Sequence, residues 1–172
     1  AQHFGIPYYS TGGTTDAKSV DVQSAYESAM SALLVAMSGA NYIHDIAGLM
    51  EADLTVSYEK LAIDNEILGM CQRVLRGIEV DDETLGTELI VSKGPGQDYL
   101  VEPHTLEHMR GEFYMPTLAN REKRDKMTPD GDVLSKARAF VGRVRGEPAT
   151  PQLDEGLRAK IRERFPEILP EP

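Results

Sequence analysis

The sequence of 172 residues is 41% hydrophobic and 27% charged, the make-up of an ordinary soluble domain or part of one. A formal net charge of −10 with no basic cluster speaks against nucleic acid and anionic membrane surfaces, and is compatible with a cationic substrate. The lone Cys71 excludes an internal disulfide and suits a reducing cytoplasm, no run of about 18 apolar residues gives a membrane span, and no secretion signal opens the chain.

The opening residues Ala1, Gln2, His3, Phe4 and Gly5 read as the end of a helix and its glycine stop, so a fragment of a longer protein is expected. Residues 6–11 (IPYYST) are rich in β-favouring types and end at Gly12 and Gly13, which predicts a strand. Thr15 or Asp16 suits the N-cap of the next helix, which runs to about Met37 or Ser38 and stops at Gly39. Ala25, Ala29, Ala32 and Ala36 lie on several of its faces beside Tyr26, Met30, Leu33 and Leu34. Close packing against a sheet and neighbouring helices is expected.

In residues 41–49, Tyr42, Ile43 and Ile46 predict a short buried strand with Asn41 at its start and His44 and Asp45 near its end. A loop at 50–54 precedes a second long helix, capped by Thr55 or Ser57 and running to about Arg76 before Gly77. Two apolar stripes, one of Leu61, Leu68 and Leu75 and one of Ile63, Ile67, Met70 and Val74, predict cover on more than one side. Strand, helix, strand, helix makes two βα units of a parallel sheet, the α/β class.

Beyond Ile78, Glu79 and Val80 the character changes. Asp81, Asp82 and Glu83 start a short helix to about Ser92, Gly94, Pro95 and Gly96 form a turn, and Pro103 opens a helix over about 104–110. A charged segment follows at 120–131, then a polar helix at 134–145, a linker at 148–151, an amphipathic helix at 153–165 and a Pro-rich tail. The expected divisions are 1–80, 81–125 as a helical extension, and 126–172 as a polar helical tail.

Chemistry in open parallel sheets and barrels gathers at the C-terminal ends of strands. Gly12, Gly13, Thr14, Thr15 and Asp16 sit at one such end, and His44 and Asp45 at the next. Glycines there let backbone approach a ligand, and the amides of a helix start favour an anionic group. The same residues also fit plainer roles: Gly12 and Gly13 a tight turn, His44 a core histidine on a backbone carbonyl. Tyr8, Tyr9 and Tyr42 suit core packing, or, facing the rim, a quaternary ammonium held by cation–π attraction. A competing pattern is His104, Glu107 and His108, the H-x-x-E-H spacing of inverted zinc peptidases, in which both histidines lie one turn apart on a helix.

Longer runs carry a resemblance. Gly5-Ile6-Pro7, Thr11-Gly12-Gly13-Thr14-Thr15-Asp16-Ala17-Lys18 and Gly39-Ala40-Asn41-Tyr42-Ile43-His44 are the first. Ser57-Tyr58-Glu59, Asp64-Asn65-Glu66-Ile67, Arg73-Val74-Leu75-Arg76-Gly77-Ile78-Glu79-Val80, Gly94-Pro95-Gly96 and His104-Thr105-Leu106 follow. Over about residues 1–120 the sequence resembles the C-terminal third of the trimethylamine:corrinoid methyltransferase family, which includes the glycine betaine methyltransferases. The tail beyond about Asn120 matches loosely.

The resemblance implies the last two βα units of a TIM (β/α)8 barrel with a C-terminal helical extension. It implies methyl transfer from a tertiary or quaternary methylamine to the corrinoid (cobalamin) of a partner protein, with no metal bound by this chain. His44 and Asp16 take the catalytic positions by analogy, His44 placing corrinoid or substrate and Asp16 ordering the rim loop or facing the ammonium. Gly12, Gly13, Thr14, Tyr42 and Asp45 are the candidate binding residues. In the trimethylamine enzymes a pyrrolysine lies on an earlier strand, upstream of Ala1, so the quaternary-amine branch is the natural expectation without it. A cytoplasmic homo-oligomer is expected, inactive if confined to this piece. The alternatives are the zinc peptidase and a non-catalytic α/β interaction module.

Overall fold

Pro7 has no N–H for a ladder, and the first strand begins only beyond it. In the structure, a computed structural model describing residues 1–148 and 153–166, β1 is Tyr9–Thr11 rather than 6–11. Tyr8 is held by Asn41 instead: its N–H donates to Asn41 Oδ1 at 2.8 Å, and its carbonyl accepts from Asn41 N at 2.8 Å. β2 is Tyr42–His44 and runs parallel to β1, pairing Tyr9 with Tyr42, Ser10 with Ile43 and Thr11 with His44. The expected parallel neighbours are therefore present, joined through the helix α1, Val22–Met37.

That helix starts later than the sequence suggests. Asp21 is the N-cap, accepting from Ser24 N while the Ser24 hydroxyl accepts from Asp21 N. Thr15 and Asp16 cannot serve because both are tied to the side of α1. The Thr15 hydroxyl donates to Glu27 Oε2 at 2.5 Å, and Asp16 N donates to the same oxygen at 3.0 Å. Glu27 ionises below the usual carboxylate range through the hydrogen bonds from Thr15 and Gln23.

The expected loop at 50–54 is the tip of an antiparallel hairpin, β3 Leu49–Met50 and β4 Thr55–Val56. Glu51, Ala52 and Asp53 turn it with φ of 54°, 50° and 66°, a left-handed run without the glycine that usually announces one. Ser57 then caps α2, Tyr58–Arg76, by accepting from Lys60 N, and Gly77 ends it. α1 and α2 pack on each other.

The face α2 buries is not the leucine stripe. Lys60, Asp64, Glu66 and Cys71 are its buried residues, while Leu61, Val74 and Leu75 are 45–56% exposed. Two polar attachments set this rotation: Lys60 reaches Ser28 of α1, and Glu66 reaches the loop at 117–119. Glu66 Oε2 accepts from Thr117 N and Leu118 N at 2.6 Å each, and Oε1 from Ala119 N at 2.9 Å. Gly69 completes the docking. A Cβ there would lie 2.4 Å from the Tyr114 ring. Gly69→Ala should therefore destabilise by about 2 kcal/mol, although a helix interior ordinarily gains about 1 kcal/mol from that change. Urea unfolding of the two proteins reads the sign.

Asp81 and Thr84 cap one another in a turn, so the next helix, α3 Thr87–Lys93, begins six residues later than Asp81 and follows Gly86 at φ 57°. α4 is Pro103–Glu112, with proline at its first turn. Arg73 and Arg76 of α2 both pair with Glu112, which ties the C-terminal ends of α2 and α4. α5 is Val133–Gly146 and α6 is Glu155–Arg164. The chain divides into one unit over Ala1–Val141 and a second from Gly142 onward. The linker beyond Pro148 and the end of the Pro-rich tail lie outside the described residues. Among the described residues no helix is long and apolar enough to cross a membrane.

Candidate functional site

Alternation along paired strands puts Tyr9, Thr11, Tyr42 and His44 on one face of the β1–β2 pair, and Ser10 and Ile43 on the other. Ile43 and Val35 of α1 both lie against Gly12, so the helix covers the second face. The first face is open, with Tyr9 62% and Tyr42 63% exposed. On it three rings form a row. Tyr9 stacks on His44 with centroids 4.5 Å apart and planes 2° apart, and on Tyr42 at 5.4 Å and 9°.

His44 stands at the C-terminal end of β2 with every ring nitrogen engaged. Nδ1–H donates to the Ser10 carbonyl at 2.9 Å, which fixes the tautomer of the neutral ring. Nε2 then accepts from the Thr11 hydroxyl at 2.8 Å. Asp45 Oδ2 lies 3.2 Å from the same nitrogen. Asp45 reaches it from a left-handed backbone, φ 54°, a conformation aspartate tolerates better than most residues.

The Gly12–Gly13 turn approaches this end of β2 through backbone. Gly13 has φ 83°, and a Cβ on it would fall 2.2 Å from the Ile46 carbonyl oxygen. Gly13 N donates to Ser31 Oγ of α1 at 3.0 Å. Thr14 is half-buried behind it. Asp16 is exposed: Glu27 anchors its N–H, and Lys18 Nζ donates to its carbonyl at 2.6 Å. Of the residues singled out in the sequence, His44, Asp45 and Tyr42 are thus brought together, and Gly13 sits against the same loop. Among the described residues no hydrogen bond or ion pair joins Asp16 to them. Tyr9 and Thr11, direct partners of His44, belong to the same cluster, and the two-residue alternation of β1 and β2 is the signal that would have found them.

The histidines of the H-x-x-E-H pattern pack against each other and reach Glu83. His104 Nε2 donates to the Glu83 carbonyl at 3.1 Å, the His104 and His108 rings lie against each other at 4.5 Å, and Glu107 is exposed. Among the described residues no group of three or more His, Cys, Asp and Glu is placed to hold a metal ion.

A family profile described as Trimethylamine methyltransferase (MTTB) matches residues 1–165. The chain belongs to this family. It is similar to the glycine betaine methyltransferase of Desulfitobacterium hafniense strain Y51, 32% identical over 162 residues, covering 94% of this chain and 34% of the relative. It is also similar to the trimethylamine methyltransferase MttB of Methanosarcina barkeri strain Fusaro, 34% identical, covering 84% of this chain and 34% of that one. A trimethylamine methyltransferase MttB of D. hafniense strain DCB-2 is 33% identical, covering 94% of this chain and 33% of its own. The chain therefore spans about a third of the length of these curated relatives. Methyltransferase membership leaves the zinc peptidase and the non-catalytic module without support.

Proposed function

We propose that this chain is part of a methyltransferase that takes a methyl group from a tertiary or quaternary methylamine and delivers it to a corrinoid carried by a partner protein. Membership of the trimethylamine methyltransferase family carries the reading, and relatives named for trimethylamine and for glycine betaine bound the substrate class. The corrinoid supplies a Co(I) nucleophile to accept the methyl group, which leaves this chain the tasks of binding, orientation and charge placement.

The open face fits those tasks. Tyr42, the tyrosine at the end of the row, offers π surface to a methylated ammonium, which such faces attract by about 0.5–2 kcal/mol. Asp45 and Asp16 add negative charge at the strand ends. His44 is not a free metal ligand, since Nδ1 is spent on Ser10 and Nε2 on Thr11 and Asp45. A hydrogen bond from it to the corrinoid or the substrate would take the place of the Thr11 contact at Nε2, in a ring plane locked by its neighbours. Gly12 and Gly13, buried against α1 and the Ile46 carbonyl, shape the turn beside it and lead through the half-buried Thr14 to the exposed Asp16, which can face the ammonium.

The parallel βαβ arrangement, covered by α1 on one side and open on the other, supports a place in the wall of a TIM barrel with the ring row lining its interior. Tyr26, Met30 and Leu34 of α1 are more than half exposed, which supports further helices or a second copy packed on them in a cytoplasmic assembly. The test is methyl transfer by the complete protein. Incubated with cob(I)alamin and either trimethylamine or glycine betaine, it should bleach the cob(I)alamin absorbance and release the demethylated amine. No reaction with any methylated amine, with free or protein-bound corrinoid, would reject the reading.

A further inference from the structure

The His44–Asp45 pair ends a loop whose far end is tied to the most deeply buried charged side chains among the described residues. Lys60 and Asp64, one turn apart on α2, are each 1% exposed. Lys60 Nζ donates to Asp64 Oδ2 at 2.5 Å and to Ser28 Oγ of α1, itself 1% exposed, at 2.7 Å. The same Asp64 oxygen accepts from the Gly48 amide at 2.8 Å. The other, Oδ1, is buried without a hydrogen-bond partner among the described residues. Burial raises the tendency of Asp64 to hold a proton, and the Lys60 ammonium and the Gly48 amide oppose it without reversing it.

A buried ion pair seldom stabilises a fold more than apolar residues of the same size, because desolvation cancels most of the attraction. One with an unpaired oxygen is a still poorer source of stability. What this pair does hold is Gly48. Its N–H is taken by Asp64, its carbonyl accepts from Ser57 N at 3.0 Å, and a Cβ on it would lie 3.2 Å from Leu61 Cβ. Gly48 is thus pinned to the start of α2. Pairing with β1 fixes the other end of the segment at His44. Three residues, Asp45, Ile46 and Ala47, cross between these two anchors, and the Ile46 carbonyl is pressed against Gly13 on the way. Within that short span Asp45 has a left-handed backbone and its carboxylate lies 3.2 Å from His44.

We propose that Asp64, held by Lys60 and Ser28, is a positioning residue that fixes the Asp45 carboxylate against His44 through the Gly48 amide. It touches no substrate and acts only through the loop at 45–48. Its bearing on catalysis rests on the methyltransferase reading above; its bearing on the loop does not.

Two double variants of the complete protein separate the tether from the fold. K60M/D64L removes both charges and the acceptor for Gly48. K60M/D64N removes both charges and keeps an oxygen that Gly48 can reach. Amide exchange at Gly48, read by fragmentation mass spectrometry, should accelerate at least tenfold in K60M/D64L and return toward the parent rate in K60M/D64N, with both melting near the parent. Methyl transfer should fall about tenfold in the first and recover in the second. Exchange and turnover unchanged in K60M/D64L would overturn the proposal, as would unfolding of both variants, which would make the pair a prop of the core. Accelerated exchange in K60M/D64L with no methyl transfer by any protein, parent included, would support the tether and reject the methyltransferase reading instead.

Discussion

Glu66→Ala should destabilise the protein by about 4 kcal/mol, read by denaturant unfolding. Glu66 is 5% exposed, and its carboxylate accepts from three successive amides, those of Thr117, Leu118 and Ala119, with the Thr117 hydroxyl at 3.2 Å. A hydrogen bond to a charged acceptor is worth about 1.5–3 kcal/mol net, and removal here orphans several donors at once. Glu66→Gln, which keeps one acceptor and turns an NH2 group toward an amide, should cost about half as much.

The pH dependence follows from the same contacts. Burial alone would raise the Glu66 carboxyl, but the amides of Leu118, Ala119 and Thr117 outweigh it and hold the group below its ordinary range. A depressed carboxylate contributes its full stability above its unfolded value, about 4.3, and loses that contribution as pH falls through the folded value below it. The stability gap between the parent and Glu66→Gln should therefore be constant from pH 7 to about pH 5 and shrink below about pH 4. A gap that does not change with pH would mean that Glu66 is not ionised in its seat.

How much of this was legible depends on how far each interaction reaches along the chain. The β1–β2 pairing is written locally, in β-favouring residues closed by Gly12 and Gly13 and in a helix closed by Gly39, and it appears as expected. Ser57 and Gly77 mark the ends of α2 equally plainly. The start of α1 is not local. Thr15 and Asp16 are good caps by type, but Glu27, on α1 itself, takes Thr15's hydroxyl and Asp16's amide, and the cap falls to Asp21. The β3–β4 hairpin carries no turn signal because three non-glycine residues adopt the left-handed region. Lys60, Asp64 and Glu66 look like a solvated face, since charges in a helix usually are. Partners 16, 32 and 51–53 residues away, Gly48, Ser28 and the loop at 117–119, make them interior.

The candidate site divides in the same way. His44 and Asp45 are sequence neighbours and Tyr42 shares their strand face, so their grouping could be read directly. Asp16 lies on a loop held by Glu27, and no hydrogen bond or ion pair among the described residues joins it to His44, a placement its own sequence surroundings do not show. The stack of Tyr9 between Tyr42 and His44 was available from alternation once the two strands were placed side by side.

The ring row and the Asp45 contact make His44 the residue on which the account turns. Its half-buried imidazole is held by Ser10, Thr11 and Tyr9 as well as Asp45. Truncation removes the group but not the strand pairing, which is carried by backbone, so the protein should fold and lose function. In the complete protein, His44→Ala should slow methyl transfer from a methylated amine to cob(I)alamin by about tenfold to a hundredfold, the scale of losing one positioned contact in the transition state. Single-turnover kinetics on parent and variant, with melting temperatures measured alongside, is the direct measurement. A rate lower by that factor at matched folding is the predicted result; an unchanged rate in a folded variant would contradict it and leave His44 a structural histidine of the strand end.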